Sequence, residues 1–309
     1  MKVVVTGAAG FIGSQIARSL IHHNHQVLAL VLPNESIYRL KEIERQITLI
    51  TGDLSALTTL IPKLEEWKPE SCIHLAWYAE PGKYLNSYKN VQSLTNSISL
   101  LKCLIQIGCQ NVVMAGSCAE YDTDLGYLRE SSLTNPTTIY AATKLSMNLI
   151  GTQMAQMSKI NFAWARLFYL YGPFENPQRV IPALLLALLK GKPFPATMGN
   201  QTRDYLHVED VATAFLKLME SHANGVFNVS SGVPVTMRHL METLGDLLGR
   251  KELIQFGALP YRDWEPMFIC GDNKKLREST DWRPKYTYHN DGLTNIIQWW
   301  KKNVEASNL

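Results

Sequence analysis

The chain opens on a β-branched run, Val3-Val4-Val5, and passes through Thr6 straight into Gly7-Ala8-Ala9-Gly10-Phe11-Ile12-Gly13. Such a run suits a buried strand. Ser14 to Leu20 then reads as a helix. Strand, glycine turn and helix in succession make the first unit of a dinucleotide-binding sheet. Gly7 permits the tight turn, Gly10 lets the backbone approach a pyrophosphate, and Gly13 lets helix and strand pack closely. The phosphates would sit at the positive end of the helix, against Gly7, Ala9, Gly10, Phe11, Ile12 and Gly13. The spacing is Gly-x-x-Gly-x-x-Gly rather than the commoner Gly-x-Gly-x-x-Gly.

The pattern of the opening unit repeats. Gln26–Leu32, Ile47–Ile50, Cys72–Leu75, Asn111–Ala115 and Asn161–Phe168 read as further strands. Between them lie apolar residues at helical spacing, such as Leu94, Ile98, Leu101, Leu104 and Ile105. Alternation of this kind predicts an α/β fold, a doubly wound parallel Rossmann sheet with right-handed crossovers. After Tyr171-Gly172-Pro173 the spacing turns irregular and prolines gather (Pro177, Pro182, Pro193, Pro195). A smaller C-terminal substrate-binding lobe over the carboxyl ends of the strands is expected there. Val226–Val229 reads as a strand returning to the main sheet. The dinucleotide-binding domain is thus expected over 1–172 with a returning segment near 207–232, and the smaller lobe over 173–206 and 233–309.

Bulk properties exclude several classes. The net charge of +3 is mild and unclustered, which argues against a nucleic-acid surface. The 5 cysteines form no CxxC pair and no metal-ligand spacing, as expected of reduced thiols and no metal site. Val180–Leu189, the most apolar run, falls short of the ~20 residues that span a bilayer. With a core strand starting at residue 3 there is no room for a signal peptide. A cytoplasmic protein without membrane contact is expected.

Tyr140-Ala141-Ala142-Thr143-Lys144 is the second informative element. Pro136 and Thr137-Thr138 suit a helix start, which sets Tyr140 and Lys144 one turn apart on one face. A phenol with an ordinary pKa of about 10 is a poor acid or base at neutral pH. An ammonium one turn away favours the phenolate and is expected to lower that value.

With these residues in place, nearly the whole chain resembles the extended short-chain dehydrogenase/reductase superfamily, and within it the nucleotide-sugar 4-ketoreductase/4-epimerase group. The resemblance places Ser117, in Ala115-Gly116-Ser117-Cys118-Ala119-Glu120-Tyr121, beside Tyr140 and Lys144 as a catalytic triad. It implies that Lys144 also binds the nicotinamide ribose, that Asp53-Leu54 holds the adenine, and that Leu75 and Ala76, after His74, run past the cofactor. Arg203-Asp204-Tyr205-Leu206-His207-Val208-Glu209-Asp210 resembles a motif of nucleotide-sugar enzymes, in which the Arg meets the substrate diphosphate. Arg262-Asp263-Trp264-Glu265 resembles a later pair, Arg for phosphate and acid for the nucleoside ribose. Glu80, Arg179, Val180 and Tyr169, the last standing where relatives carry Asn, complete the implied substrate side.

The departures narrow the activity. Sugar 4,6-dehydratases carry Asp-Glu directly after their triad Thr; here Cys118-Ala119 supplies no acid-base pair for losing water. The 3,5-epimerising relatives place a Cys where this chain has Ala119. No acid stands near Val31, at the end of the second strand, and Leu32 replaces the Arg common in NADP enzymes. Ser36 and Arg39 could reach a 2′-phosphate, so NADP(H) is favoured over NAD(H). Phe256–Arg262 resembles bacterial deoxysugar reductases, which favours reduction of a nucleotide-linked 4-keto-6-deoxy sugar over 4-epimerisation with bound NAD. A non-catalytic NADP(H)-binding regulator would have lost the Tyr-Lys pair. Asn86–Ile107 and Tyr140–Met157 carry apolar residues on more than one face, which predicts a symmetric homodimer.

Overall fold

The computed structural model describes residues 1–262, 265–286 and 291–307. Seven parallel strands form the main sheet: β1 (Lys2–Thr6), β2 (Gln26–Val31), β3 (Thr48–Thr51), β4 (Ser71–His74), β5 (Asn111–Ser117), β6 (Asn161–Leu167) and β7 (Gly225–Val229). Their spatial order is β3-β2-β1-β4-β5-β6-β7. The order reverses between β1 and β4, and ligands of such sheets bind outside the carboxyl ends at that crevice. The expected strands all form, and β7 returns to pair with β6. β5 runs on past Ala115 to Ser117, because Gly116 and Ser117 keep pairing with Arg166 and Leu167.

Nine helices are present among the described residues: α1 (Phe11–His22), α2 (Ile61–Trp67), α3 (Lys89–Gln106), α4 (Ile139–Ser158), α5 (Val180–Leu189), α6 (Val208–Glu220), α7 (Met237–Leu248), α8 (Lys274–Thr280) and α9 (Asp291–Ser307). Alternate side chains of each strand point to opposite faces. Val3, Val5, Val113 and Ala163 therefore join α1 and α6 on one side, through Ile16, Leu20, Phe215 and Met219. Val4, Val112, Met114, Phe162 and Trp164 join α3 and α4 on the other, through Leu100, Leu104 and Met147. Both faces are covered, so the strands read as continuous apolar runs. The smaller lobe has a core of its own, built from Leu184 and Leu188 of α5, Leu240 and Leu244 of α7, and Ile296 of α9. No helix among the described residues is long and apolar enough to cross a membrane.

The first turn of the fold rests on two glycines. Gly7 has φ +65°, a conformation that glycine adopts without strain. Gly13 packs so closely that a Cβ there would overlap the Gly7 carbonyl oxygen and lie 2.9 Å from the Ala8 Cα. Both neighbours are backbone and cannot swing aside. Gly13→Ala is expected to destabilise the protein by about 1–3 kcal/mol, the usual cost of overpacking. Urea unfolding of the two proteins measures it, and an unchanged midpoint would show that the α1–β1 junction gives way freely.

Candidate active site

β5 brings Ser117 to the carboxyl edge of the sheet, and α4 passes beside it. The start of α4 is fixed by Thr138, whose hydroxyl accepts from the Ala141 N–H at 3.1 Å. Lys144 donates from Nζ to the Ala115 carbonyl oxygen at 2.7 Å. One turn earlier, Tyr140 lies close enough to Ser117 for the serine hydroxyl to favour its phenolate. The three residues that the sequence pairs are thus joined in space.

Their electrostatics depart from expectation. Burial pushes the Tyr140 phenol further above its ordinary value, and the Ser117 hydroxyl only partly draws it back. Lys144 is 4% exposed, and burial pulls its ammonium down to about 7 against the attraction of Glu120. The expected lowering of Tyr140 by Lys144 therefore fails. Desolvation of the phenol outweighs the help of a cation that is itself near its titration midpoint.

Three side chains outside the expected triad complete this wall. The Trp77 indole lies under Lys144 Nζ at 3.9 Å and donates to Asn90 Oδ1 at 2.9 Å. Tyr84 meets Tyr140 edge-on at 4.8 Å between ring centres. Glu120, wholly buried, accepts the Ser117 N–H at 2.8 Å. Glu120 alone had a readable signal, since Ser117-x-x-Glu120 has capping-box spacing.

The cofactor side fits a dinucleotide. α1 starts at Gly10 with no side-chain cap, which leaves its first amides to an anion. Gly10 is itself confined, as a Cβ there would stand 3.1 Å from the Gly7 carbonyl oxygen. Phe11 and Ile12 follow as the first residues of α1. Leu75 and Ala76 both donate backbone N–H groups to Thr6 Oγ1 at 3.2 Å, so their chain runs tight against the Gly7 turn. Asp53 is exposed past β3 with its carboxylate on the Ser55 N–H, and Leu54 is buried beside it.

The end of β2 differs from its reading. Glu35 folds back and accepts the Leu32 N–H at 3.0 Å. A carboxylate therefore stands where the spacing showed no acid, supplied from further along the chain by a tight turn. Arg39 is engaged elsewhere: Nε donates to the Phe174 carbonyl at 3.1 Å and Nη1 to the Ala9 carbonyl at 3.4 Å. Ser36 is exposed. The ground for favouring NADP(H) is removed with the missing acid.

On the substrate side, Arg203 is 2% exposed and lies 5.1 Å from the Tyr169 ring. Its Nη2 pairs with Glu265 Oε1 at 2.9 Å. The two residues expected to grip different parts of one ligand thus hold each other. Tyr169 also faces Tyr205 at 5.7 Å. Arg179 is exposed at the start of α5, 5.9 Å from the Tyr84 ring, and Val180 follows it. Arg262 is exposed and its carbonyl accepts the Glu265 N–H at 3.0 Å, while Asp263 and Trp264 lie outside the described residues. Glu80 is exposed, its carboxylate bound to Lys83 at 2.6 Å and Tyr78 at 2.9 Å. Of the Arg203–Asp210 motif, Asp204 and Asp210 serve the fold. Asp204 accepts from Ser231, Gly232 and Gly271, and Asp210 from the Lys285 and Tyr286 N–H groups.

A nucleotide-binding sheet with a Ser-Tyr-Lys set at its carboxyl edge defines a dinucleotide-dependent fold class. Residues 3–230 match the model of the NAD dependent epimerase/dehydratase family, and the chain belongs to that family. It is 28% identical to the CDP-abequose synthase of Salmonella typhimurium, over 96% of this chain and 97% of that protein. It is 26% identical to the UDP-glucose 4-epimerase of Corynebacterium glutamicum, over 93% of this chain and 92% of the other. In fold it is similar to the crystal structure of UDP-glucose 4-epimerase with UDP-glucose from Thermotoga maritima, with TM-score 0.89, 23% identity, and 98% and 100% of the two chains covered.

The fold-back of Glu35 sets a test. A carboxylate beside the adenosine ribose accepts from a diol and repels a 2′-phosphate. Glu35→Ser is expected to move the NADH-to-NADPH affinity ratio at least ~tenfold towards NADPH, the scale of a lost hydrogen bond to a charged group. Titration by nicotinamide fluorescence reads the ratio, and a ratio that stays put removes Glu35 from cofactor choice.

Proposed function

We propose that this protein reduces C4 of a nucleotide-linked 4-keto-6-deoxy sugar, a step of deoxysugar and polysaccharide biosynthesis in the cytoplasm. The observation that carries the reading is Tyr140 set one turn from Lys144, which is anchored to the strand that ends at Ser117, with burial keeping the phenol protonated. Reduction needs an acid at the carbonyl oxygen, and a phenol with a raised pKa stays an acid throughout the neutral range. The likeness to CDP-abequose synthase over nearly the full length of both chains supports the same direction.

The bound reduced nicotinamide would supply hydride to C4. The chain's own residues do the rest. The Ser117 hydroxyl orients the C4 oxygen, and Tyr140 gives that oxygen its proton as C=O becomes CH–OH. Lys144 lies 5.9 Å from the Tyr140 ring and steadies the phenolate left behind. Arg203 binds the diphosphate once Glu265 swings from the guanidinium to the nucleoside ribose. Tyr169, Arg179 and Val180 line the same side. Glu35 favours NADH over NADPH.

The second reading is a 4-epimerase that keeps its NAD and uses the same triad twice, supported by the likeness to UDP-glucose 4-epimerase. Incubation with a panel of UDP-, dTDP-, CDP- and GDP-linked 4-keto-6-deoxy sugars separates the two. We expect one mole of NADH or NADPH consumed per mole of sugar, and turnover lowered by roughly 10² or more in Tyr140→Phe with cofactor still bound. Purification with tightly held NAD, and interconversion of two sugar nucleotides with no added reductant, would establish the epimerase instead.

A homodimer is proposed on the outer faces of α3 and α4. Val91, Leu149, Ile150 and Met157 are exposed there, at 46%, 61%, 38% and 85%. Apolar side chains spread along two neighbouring helices suit an isologous four-helix contact. Light scattering at micromolar concentration is expected to give twice the mass of 34.9 kDa, and a single-chain mass would leave this face to solvent.

A further inference from the structure

Behind Ser117 lies a charged residue that the triad does not include. Glu120 has no exposed surface. Its Oε1 accepts from the Ser117 N–H at 2.8 Å and from Trp164 Nε1 at 2.9 Å. Its Oε2 accepts from Trp164 Nε1 at 3.0 Å and from Arg166 Nε at 2.7 Å. Every partner is an N–H donor. No acceptor stands ready for a carboxyl proton, so the arrangement suits the ionised form although burial pushes Glu120 above the ordinary carboxylate range. The Ser117 hydroxyl returns the contact by accepting the Ala119 N–H at 3.2 Å, which closes a capping box around the turn. A side chain on Gly116 would collide with both Trp164 Nε1 and Glu120 Oε1, so the glycine makes room for this packing.

We propose that Glu120 is a positioning residue for the Ser117–Tyr140–Lys144 set: it locks Ser117 from behind, and its buried charge, tied to Trp164 beside Lys144, acts on the Lys144 ammonium. The proposal rests on that triad reading. The groups facing Lys144 are few. His74 of β4 is held between Thr6 at 2.7 Å and Ser97 at 2.8 Å, and burial, reinforced by Lys144, pulls it down to about 3, so it is neutral. Trp77 and Trp164 present uncharged rings at 3.9 and 6.0 Å. Tyr140 on the same helix is neutral as a phenol. On the far side of Glu120 stand Arg166, which Glu120 neutralises, and Cys118, whose thiol burial pushes up to about 12. Glu120 accepts from Trp164, whose ring lies 6.0 Å from Lys144 Nζ, and its charge opposes loss of the Lys144 proton.

The test needs no substrate. In protein labelled at lysine 13Cε, the Lys144 resonance is identified by its loss in Lys144→Met, and its titration is followed by NMR. The wild-type midpoint is expected at about 7. Glu120→Gln removes the charge and keeps the shape, so its midpoint should fall by roughly one pH unit or more, while Glu120→Asp, which keeps the charge, should stay close to wild type. Should Glu120→Gln fail to fold with Arg166 unpaired, the Glu120→Gln/Arg166→Gln double variant is compared with Arg166→Gln alone, so that only the Glu120 charge differs. In reductive turnover the alkaline limb of the pH profile should move down with the midpoint. An unmoved Lys144 midpoint in the Gln variants overturns the proposal. Failure of the triad itself appears separately, as full turnover in Tyr140→Phe with the NMR result standing.

Discussion

The site depends on one hydrogen bond, from Lys144 Nζ to the Ala115 carbonyl at 2.7 Å. It crosses from α4 to the end of β5 and sets the register between helix and sheet. With Lys144 anchored there, Tyr140 one turn earlier falls at Ser117, two residues beyond Ala115 on the strand. The bond carries a cost. A buried ammonium held by a neutral carbonyl and an indole face has lost its water without gaining a carboxylate in contact. That deficit appears as a lysine near its midpoint at neutral pH. Small residues make the crossing feasible, because Ala115 and Gly116 leave space at the strand end for Trp164 and Glu120 behind it.

The two sides of the site are built on different terms. The cofactor side is backbone: glycine turns, uncapped amides, and N–H groups tied to Thr6. Its geometry is complete before any ligand arrives. The substrate side is made of side chains that satisfy one another, with Arg203 on Glu265 and aromatic rings in contact. Desolvating Arg203 without a partner would be costly, and Glu265 supplies that partner. Arg39 links the two sides, since it holds both the Ala9 carbonyl of the glycine loop and the Phe174 carbonyl of the segment that leads into α5.

Sequence reading succeeded where the signal was local. A β-branched run, a glycine spacing, a Tyr and Lys one turn apart, and a proline-threonine helix start each act within a few residues, and each forms as read. It failed where the chain folds back or where burial decides. Glu35 reaches the end of β2 through a turn that spacing does not reveal. Trp77 and Tyr84 arrive from a loop with no periodicity. The direction of the Tyr140 shift was misread for a physical reason: the favourable neighbour is visible in sequence, but the desolvation that outweighs it is a property of the packed site.

That misreading bears on activity. A Ser-Tyr-Lys set serves oxidation and reduction alike, and the constellation alone cannot choose between them. The choice lies with the groups that set which protons are present when substrate arrives. Here burial holds Tyr140 protonated while it draws the proton from Lys144, and Glu120 opposes that loss at Lys144. An enzyme that must first remove a proton from a sugar hydroxyl gains nothing from such an anion. One that must give a proton to a ketone oxygen needs the phenol protonated when substrate binds, and burial keeps it so. The side chain behind the triad therefore bears on which protons the site holds when substrate arrives.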